Sequence, residues 1–125
     1  MGKDEAPRGT ETILVVEDDE LVRDLVVEVM TDLGYRVLYA LDGGQALDLL
    51  QRDEGVDLLF TDISLSNRMS GVELARLARQ HRPALKILLT TGDAKLATVA
   101  SEFPAVAKPY RRAELAVRLR DVLKA

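Results

Sequence analysis

Five short apolar runs rich in β-branched residues alternate along this chain with segments of helical spacing, and no other feature constrains its fold as tightly. The runs cover residues 13–16, 37–41, 58–61, 87–91 and, more weakly, 105–107. Between them, Leu21, Leu25, Val29 and Leu33 recur at i, i+4 and end at Gly34, which is placed to close a helix as its C′ residue. Ala46, Leu47, Leu49 and Leu50 follow Asp42, a side chain suited to an N-cap. Val72, Leu74, Ala75, Leu77 and Ala78 precede Pro83, which marks the far end of a third helix. Leu115, Leu119, Val122 and Leu123 form the apolar face of a last helix starting just after Pro109. The segment from Asp93 to about Ser101 leaves room only for a shortened fourth helix, whose apolar face Lys95, Thr98 and Ser101 dilute. Strands alternating with helices require parallel strands and crossovers on both faces of one sheet.

The expected architecture is therefore α/β: a flavodoxin-like (βα)5, doubly wound five-stranded parallel sheet in order 2-1-3-4-5. At 125 residues the chain suits one domain, with residues 1–11 a flexible polar lead and 12–125 the folded unit. A hydrophobic content of 47% lets a chain of this size bury a core. The net charge of −4 argues against a surface built for nucleic acid or anionic lipid. The absence of cysteine removes disulfides, thiolate metal sites and thiol nucleophiles together. No apolar run approaches the roughly 18 residues of a membrane span, and the polar start lacks the apolar core of a signal peptide. A cytoplasmic location is expected.

In an open parallel sheet, function collects at the carboxyl ends of the strands. The first run leads into Glu17-Asp18-Asp19, the third into Asp62, the fourth into Thr91-Gly92 and the fifth into Lys108-Pro109. With the first and third strands adjacent, Glu17, Asp18 and Asp62 converge on one edge. Three such carboxylates repel unless a cation sits among them. A hard divalent ion that keeps several waters, such as Mg²⁺, needs only one or two of them directly. The Thr91 hydroxyl and Lys108 ammonium face the same point, and the set suits a phosphoryl group. Each residue alone has an ordinary reading. Asp18 or Asp19 caps a helix beginning near Glu20, Asp62 makes an Asx-turn, Thr91-Gly92 ends a strand, and Lys108 is solvated before a helix-starting proline. What chance rarely supplies is all of them at successive strand ends in this order.

These residues resemble the receiver domain of two-component response regulators. The likeness runs from about Thr12 to Leu123 and is carried by Ile13-Leu14-Val15-Val16-Glu17-Asp18, Asp62, Thr91-Gly92 and Lys108-Pro109, with Gly71-Val72-Glu73-Leu74 similar to the family's third-helix entry. The resemblance implies that Asp62 accepts a phosphoryl group from a phosphohistidine of a sensor histidine kinase or histidine phosphotransfer protein. It implies Mg²⁺, for which Mn²⁺ can substitute, held by Asp18, Asp62 and the Ser64 backbone carbonyl, with Glu17 acting through water. Lys108, Thr91 and Gly92 stabilise the phosphoryl group, and Ser64 and Asp93 tune access of hydrolytic water. Asp19 points away. Such a domain is a switch with slow autodephosphorylation, not a turnover enzyme on external substrate. A monomer without nucleic-acid or membrane contact is expected. The domain reads either as a free single-domain regulator acting by protein contact or as the terminal receiver of a hybrid sensor kinase, and Pro7-Arg8-Gly9-Thr10-Glu11-Thr12 and Tyr110-Arg111-Arg112-Ala113-Glu114-Leu115 resemble the second.

Several positions depart from the family pattern. Ala105 stands where receivers usually carry an aromatic switch residue, and Phe103 lies two residues earlier, so readout through residues 92–104 is expected. The stretch from Thr91 to Lys108 is short, and the loop after Asp62 has Ser66 where proline is common and is extended through Asn67-Arg68-Met69-Ser70. A flavodoxin needs a hydroxyl- and glycine-rich phosphate loop, whereas Glu17-Asp18-Asp19-Glu20 repels phosphate. A haloacid dehalogenase-type phosphatase needs a second acid where Ser64 stands. A pseudo-receiver loses part of the acid, threonine and lysine set, which is intact here. His81 reads as a solvated surface residue. Arg111, Arg112, Arg118 and Arg120 read as a solvated or partner-facing surface without the interleaved aromatics of a nucleic-acid site.

Overall fold

The structure, a computed structural model, describes residues 6–52, 55–65, 69–93 and 102–125. The elements follow in the order β1 (Thr12–Val16), α1 (Glu20–Asp32), β2 (Arg36–Ala40), α2 (Gly43–Arg52), β3 (Leu58–Asp62), α3 (Gly71–His81), β4 (Lys86–Thr91), β5 (Ala105–Ala107) and α4 (Arg112–Lys124). All strand pairs are parallel, and the sheet order is β2-β1-β3-β4-β5. This is the expected flavodoxin-like topology. The short fourth helix expected between Asp93 and Ser101, and loop residues 66–68, lie outside the described residues.

β1 and β3 are buried at every position, as central parallel strands sandwiched between helices must be. Alternate side chains feed two cores. Leu14, Val16, Leu59, Ile87 and Leu89 pack with Ala46, Leu74 and Ala78 on the face of α2 and α3. Ile13, Val15, Leu58, Phe60 and Leu88 pack with Val26, Met30, Leu115 and Leu119 on the face of α1 and α4. The short edge strand β5 is secured from outside, where Arg118 Nη2 donates to Ala105 O at 3.0 Å.

Helix ends follow sequence chemistry. Asp19 caps α1, its Oδ1 accepting from Leu21 N and Val22 N at 3.0 and 3.2 Å. Asp42 Oδ1 accepts from Gln45 N at 2.9 Å. Ser70 and Glu73 form a reciprocal capping box on α3. Gly34 follows α1 with φ 104°, where a side chain is strained and a Cβ would stand 2.5 Å from Gly9 O.

Three expectations need correction. The buried face of α1 carries Arg23, Val26 and Met30, while Leu21 and Leu25 are 77% and 64% exposed. The helix sequence ELVRDLVVEVMTD holds apolar residues at overlapping periods, and sheet packing selects the other stripe. β2 begins at Arg36, one residue early, and Leu41 falls outside it, its N–H donating to Gln45 Oε1 at 3.0 Å. The residues just before β1 also touch the domain. Gly9 N donates to Leu33 O at 3.1 Å, and Glu11 takes Arg120 at 2.8 and 3.1 Å. The basic residues near the C-terminus are mostly tied internally: Arg112 pairs with Asp32 at 2.6 Å, Arg118 holds β5, and Arg120 also reaches Tyr35 Oη at 3.4 Å.

Candidate functional site

Strand register decides which residues meet. Val16 is level with Thr61, so Glu17 and Asp62 emerge side by side from β1 and β3. Thr91 is level with Ala107, which places Lys108 one step beyond β5, its N–H bonded to Thr91 O at 2.8 Å. From there Lys108 Nζ reaches Asp62 Oδ2 at 2.6 Å and Glu17 Oε1 at 3.1 Å. A single cation thus bridges two carboxylates that are only 7% and 4% exposed.

Each carboxylate is further held by local backbone. Asp62 Oδ1 accepts from Ser64 N at 2.9 Å, the Asx-turn geometry such a residue favours. Glu17 Oε2 accepts from Asp19 N at 3.3 Å. Beneath Asp62 the chain passes unusually close: a Cβ on Gly71 would lie 2.0 Å from Asp62 O. Gly71 N in turn donates to Ile63 O at 2.9 Å.

Burial pushes the Glu17 carboxyl up, against the lowering effect of its bonds to Lys108 and Asp19 N. For Lys108, burial pulls downward, but the hydrogen bonds and charges of Asp62 and Glu17 prevail and hold the ammonium above its ordinary value. Tyr110 packs edge-on against Phe60, ring centroids 6.3 Å apart. Its phenol is pushed up to about 12, chiefly by burial.

Of the anticipated residues, the structure brings Glu17, Asp62 and Lys108 into direct contact. Asp18 sits exposed on the turn after Glu17, and Asp19 is diverted to cap α1. Thr91 ends β4 fully buried, with Oγ1 accepting from Asp93 N at 3.1 Å. Gly92 and Ser64 are exposed, and a Cβ on Gly92 would meet nothing within 4 Å. Two neighbours of the site escaped sequence reasoning. Tyr110 is one. Arg23 is the other, buried on α1 with Nη1 3.4 Å from Glu17 O. Its spacing with Val26 and Met30 was the available signal.

Among the described residues, no three His, Cys, Asp or Glu side chains gather closely enough to cage a metal ion. Among the described residues, the donors at this edge are carboxylate and carbonyl oxygens, with no His or Cys beside them. That set fits an oxygen-preferring cation such as Mg²⁺ or Mn²⁺, taking one or two carboxylates and keeping most of its water, rather than zinc or copper held by nitrogen and sulfur.

The fold and site define an open parallel α/β domain with two buried carboxylates at the carboxyl edge of its sheet, bridged by one lysine. The chain belongs to the response regulator receiver domain family of two-component signalling, whose family model matches residues 13–120. It is 34% identical over 118 residues to the transcriptional regulatory protein CpxR of Escherichia coli K12, covering 90% of this chain and 49% of that protein. It is 41% identical over 85 residues to the response regulator receiver protein CpdR of Brucella abortus, covering 68% and 69%. The chain thus spans about half the length of CpxR and of several other curated relatives. Among solved structures, the signal receiver domain of an HD-domain protein from Pseudomonas fluorescens Pf-5 is 30% identical, with TM-score 0.81 over 93% of this chain and 96% of that one. Response regulator TrrA from Thermotoga maritima, solved with Mg²⁺ and BeF, is 28% identical, with TM-score 0.82 over 90% and 99%. The family is one of phosphoacceptor switches rather than turnover enzymes. Among the described residues no helix is long and apolar enough to cross a membrane.

Proposed function

We propose that this domain accepts a phosphoryl group on Asp62 from a phosphohistidine of a sensor histidine kinase or a histidine phosphotransfer protein. The observation that carries this reading is the Lys108 ammonium bridging Asp62 and Glu17 at 2.6 and 3.1 Å. An Asp62 oxygen forms the new O–P bond, the N–P bond breaks, and its electron pair stays on the imidazole, which takes up a proton. Lys108 then exchanges part of its contact with Asp62 for a phosphoryl oxygen, and Thr91 and the Gly92 N–H bind the others. Asp18, Asp62 and the Ser64 carbonyl would hold Mg²⁺ or Mn²⁺, with Glu17 acting through water. Bound there, the ion neutralises charge on the transferring group. That TrrA was solved with Mg²⁺ and BeF supports Mg²⁺ as the cation. Ser64 and Asp93, both exposed at the rim, modulate hydrolysis.

The domain is a cytoplasmic monomer that signals by protein contact and makes no nucleic-acid or membrane contact of its own. The folded unit is residues 12–125, preceded by the lead of residues 1–11, whose last residues are bonded to the domain. The stretches from Pro7 to Thr12 and from Tyr110 to Leu115 favour the terminal receiver of a hybrid sensor kinase. A second reading rests on CpxR, a transcriptional regulatory protein of which this chain matches about half: the domain would govern a segment that regulates transcription. The core reading is tested with acetyl phosphate and Mg²⁺, followed by mass spectrometry. A phosphoryl adduct in the parent that disappears in Asp62→Asn supports it, and equal labelling of both overturns it.

A further inference from the structure

Besides Glu17 and Asp62, the charged residue buried among the described residues is Arg23, 9% exposed. Burying a guanidinium is costly unless its donors are matched, yet its Nε has no hydrogen-bond partner. The contacts it does make converge on one place. Its backbone N donates to Asp19 O at 2.9 Å, and its Nη1 points back to Glu17 O at 3.4 Å. The guanidinium carbon lies 5.1 Å from the Tyr39 ring centroid, so the end of β2 supports it from one side.

The turn between β1 and α1 is thereby held from both ends. Asp19 is locked by its own cap bonds to Leu21 N and Val22 N, and by its N–H on Glu17 Oε2. Arg23 takes hold of the Glu17 carbonyl. Asp18 stands between two pinned neighbours, and the direction in which it leaves β1 follows from theirs.

We propose that Arg23 is a positioning residue for this acidic turn: with its guanidinium resting on the Tyr39 ring, it holds the Glu17 carbonyl, aims Asp18 and so sets cation affinity at the site. The planar fork and stacking face are the properties used, and lysine shares neither. The inference rests on the Mg²⁺ reading above, so its test includes a measurement that needs no metal.

Mg²⁺ is titrated into the unphosphorylated protein and followed by backbone amide shifts. Amide exchange at Asp19 relative to Val15 is measured in Mg²⁺-free protein. Arg23→Met keeps the apolar stem and removes the head. The expected result is a Mg²⁺ Kd raised at least about threefold, in the manner of outer-sphere ligand supports. The Asp19 to Val15 exchange ratio should rise as well, which a mere loss of global stability leaves unmoved. A Kd change below about threefold, or an unchanged exchange ratio, overturns the assignment. If Arg23→Met does not fold, Arg23→Lys is read by the same two criteria. If the parent itself binds no Mg²⁺, the cation reading fails on its own account, and the exchange ratio alone decides whether Arg23 orders the turn.

Discussion

Lys108 Nζ lies 2.6 Å from Asp62 Oδ2, so the reactive carboxylate of the proposed mechanism is paired with a cation before any substrate arrives. The same ammonium serves Glu17 at 3.1 Å, and both acids are almost wholly buried. Removing the lysine therefore strands two carboxylates together rather than one.

Lys108→Ala should slow phosphorylation by acetyl phosphate by about 10²-fold or more, the scale seen when one preorganised charge-stabilising group is lost. It should also cost about 1–3 kcal/mol at pH 7, because buried acceptors lose their partner. Urea unfolding and a labelling time course check both. A labelling rate equal to the parent's would remove Lys108 from the mechanism.

Gly71→Ala places a methyl carbon 2.0 Å from Asp62 O and 2.8 Å from Asp62 C, atoms of the backbone that cannot swing aside. Overpacking of this kind costs about 1–3 kcal/mol. Labelling of Asp62 should fall with it, since relief requires the acceptor itself to shift. Unchanged urea midpoint and labelling rate would show that the approach is looser than described.

Two carboxyls should move stability with pH in opposite directions. Burial, the larger effect, raises Glu17 above its ordinary value, so its contribution is greatest below about pH 4.5 and is lost as pH rises through the folded value. The hydrogen bond from Arg120 lowers Glu11, so its contribution is present above that range and lost as pH falls through its folded value. Glu17→Gln should accordingly stabilise the protein at pH 7, by an increment that shrinks toward pH 4. Glu11→Gln should destabilise it at pH 7 by roughly 0.2–1 kcal/mol, as expected of a partly exposed pair. Urea unfolding across pH 3.5–8 measures both, and parallel slopes in the two variants would refute the assignment.

The segment entering β5 is clasped to α3 rather than left on its own. Arg76 Nε meets Glu102 Oε1 at 2.9 Å, and the Arg79 guanidinium carbon lies 5.7 Å from the centroid of the buried Phe103 ring. Phosphorylation is therefore expected to shift amide resonances at Glu102, Phe103 and the facing turn of α3. Changes confined to α1 and α2 would sink this route for the signal.

Strand order and the meeting of Glu17, Asp62 and Lys108 were legible because a parallel sheet brings every strand's carboxyl end to one edge. Continuous apolar runs such as Ile13-Leu14-Val15-Val16 admit little but a central strand. The α1 face was not legible, because Leu21 and Leu25 compete with Val26 and Met30 as equally apolar stripes, and only docking on the sheet chooses. Arg23 was hidden by that same error of face. The early tie at Gly9 and Glu11 depends on Leu33 and Arg120, which are remote in sequence and announce nothing locally.

The Glu11–Arg120 pair stitches the entry of β1 to the last helix at the pole of the sheet opposite Lys108. A segment attached near either stitch would therefore leave from the rear of the domain, a sheet's length away from the buried carboxylates.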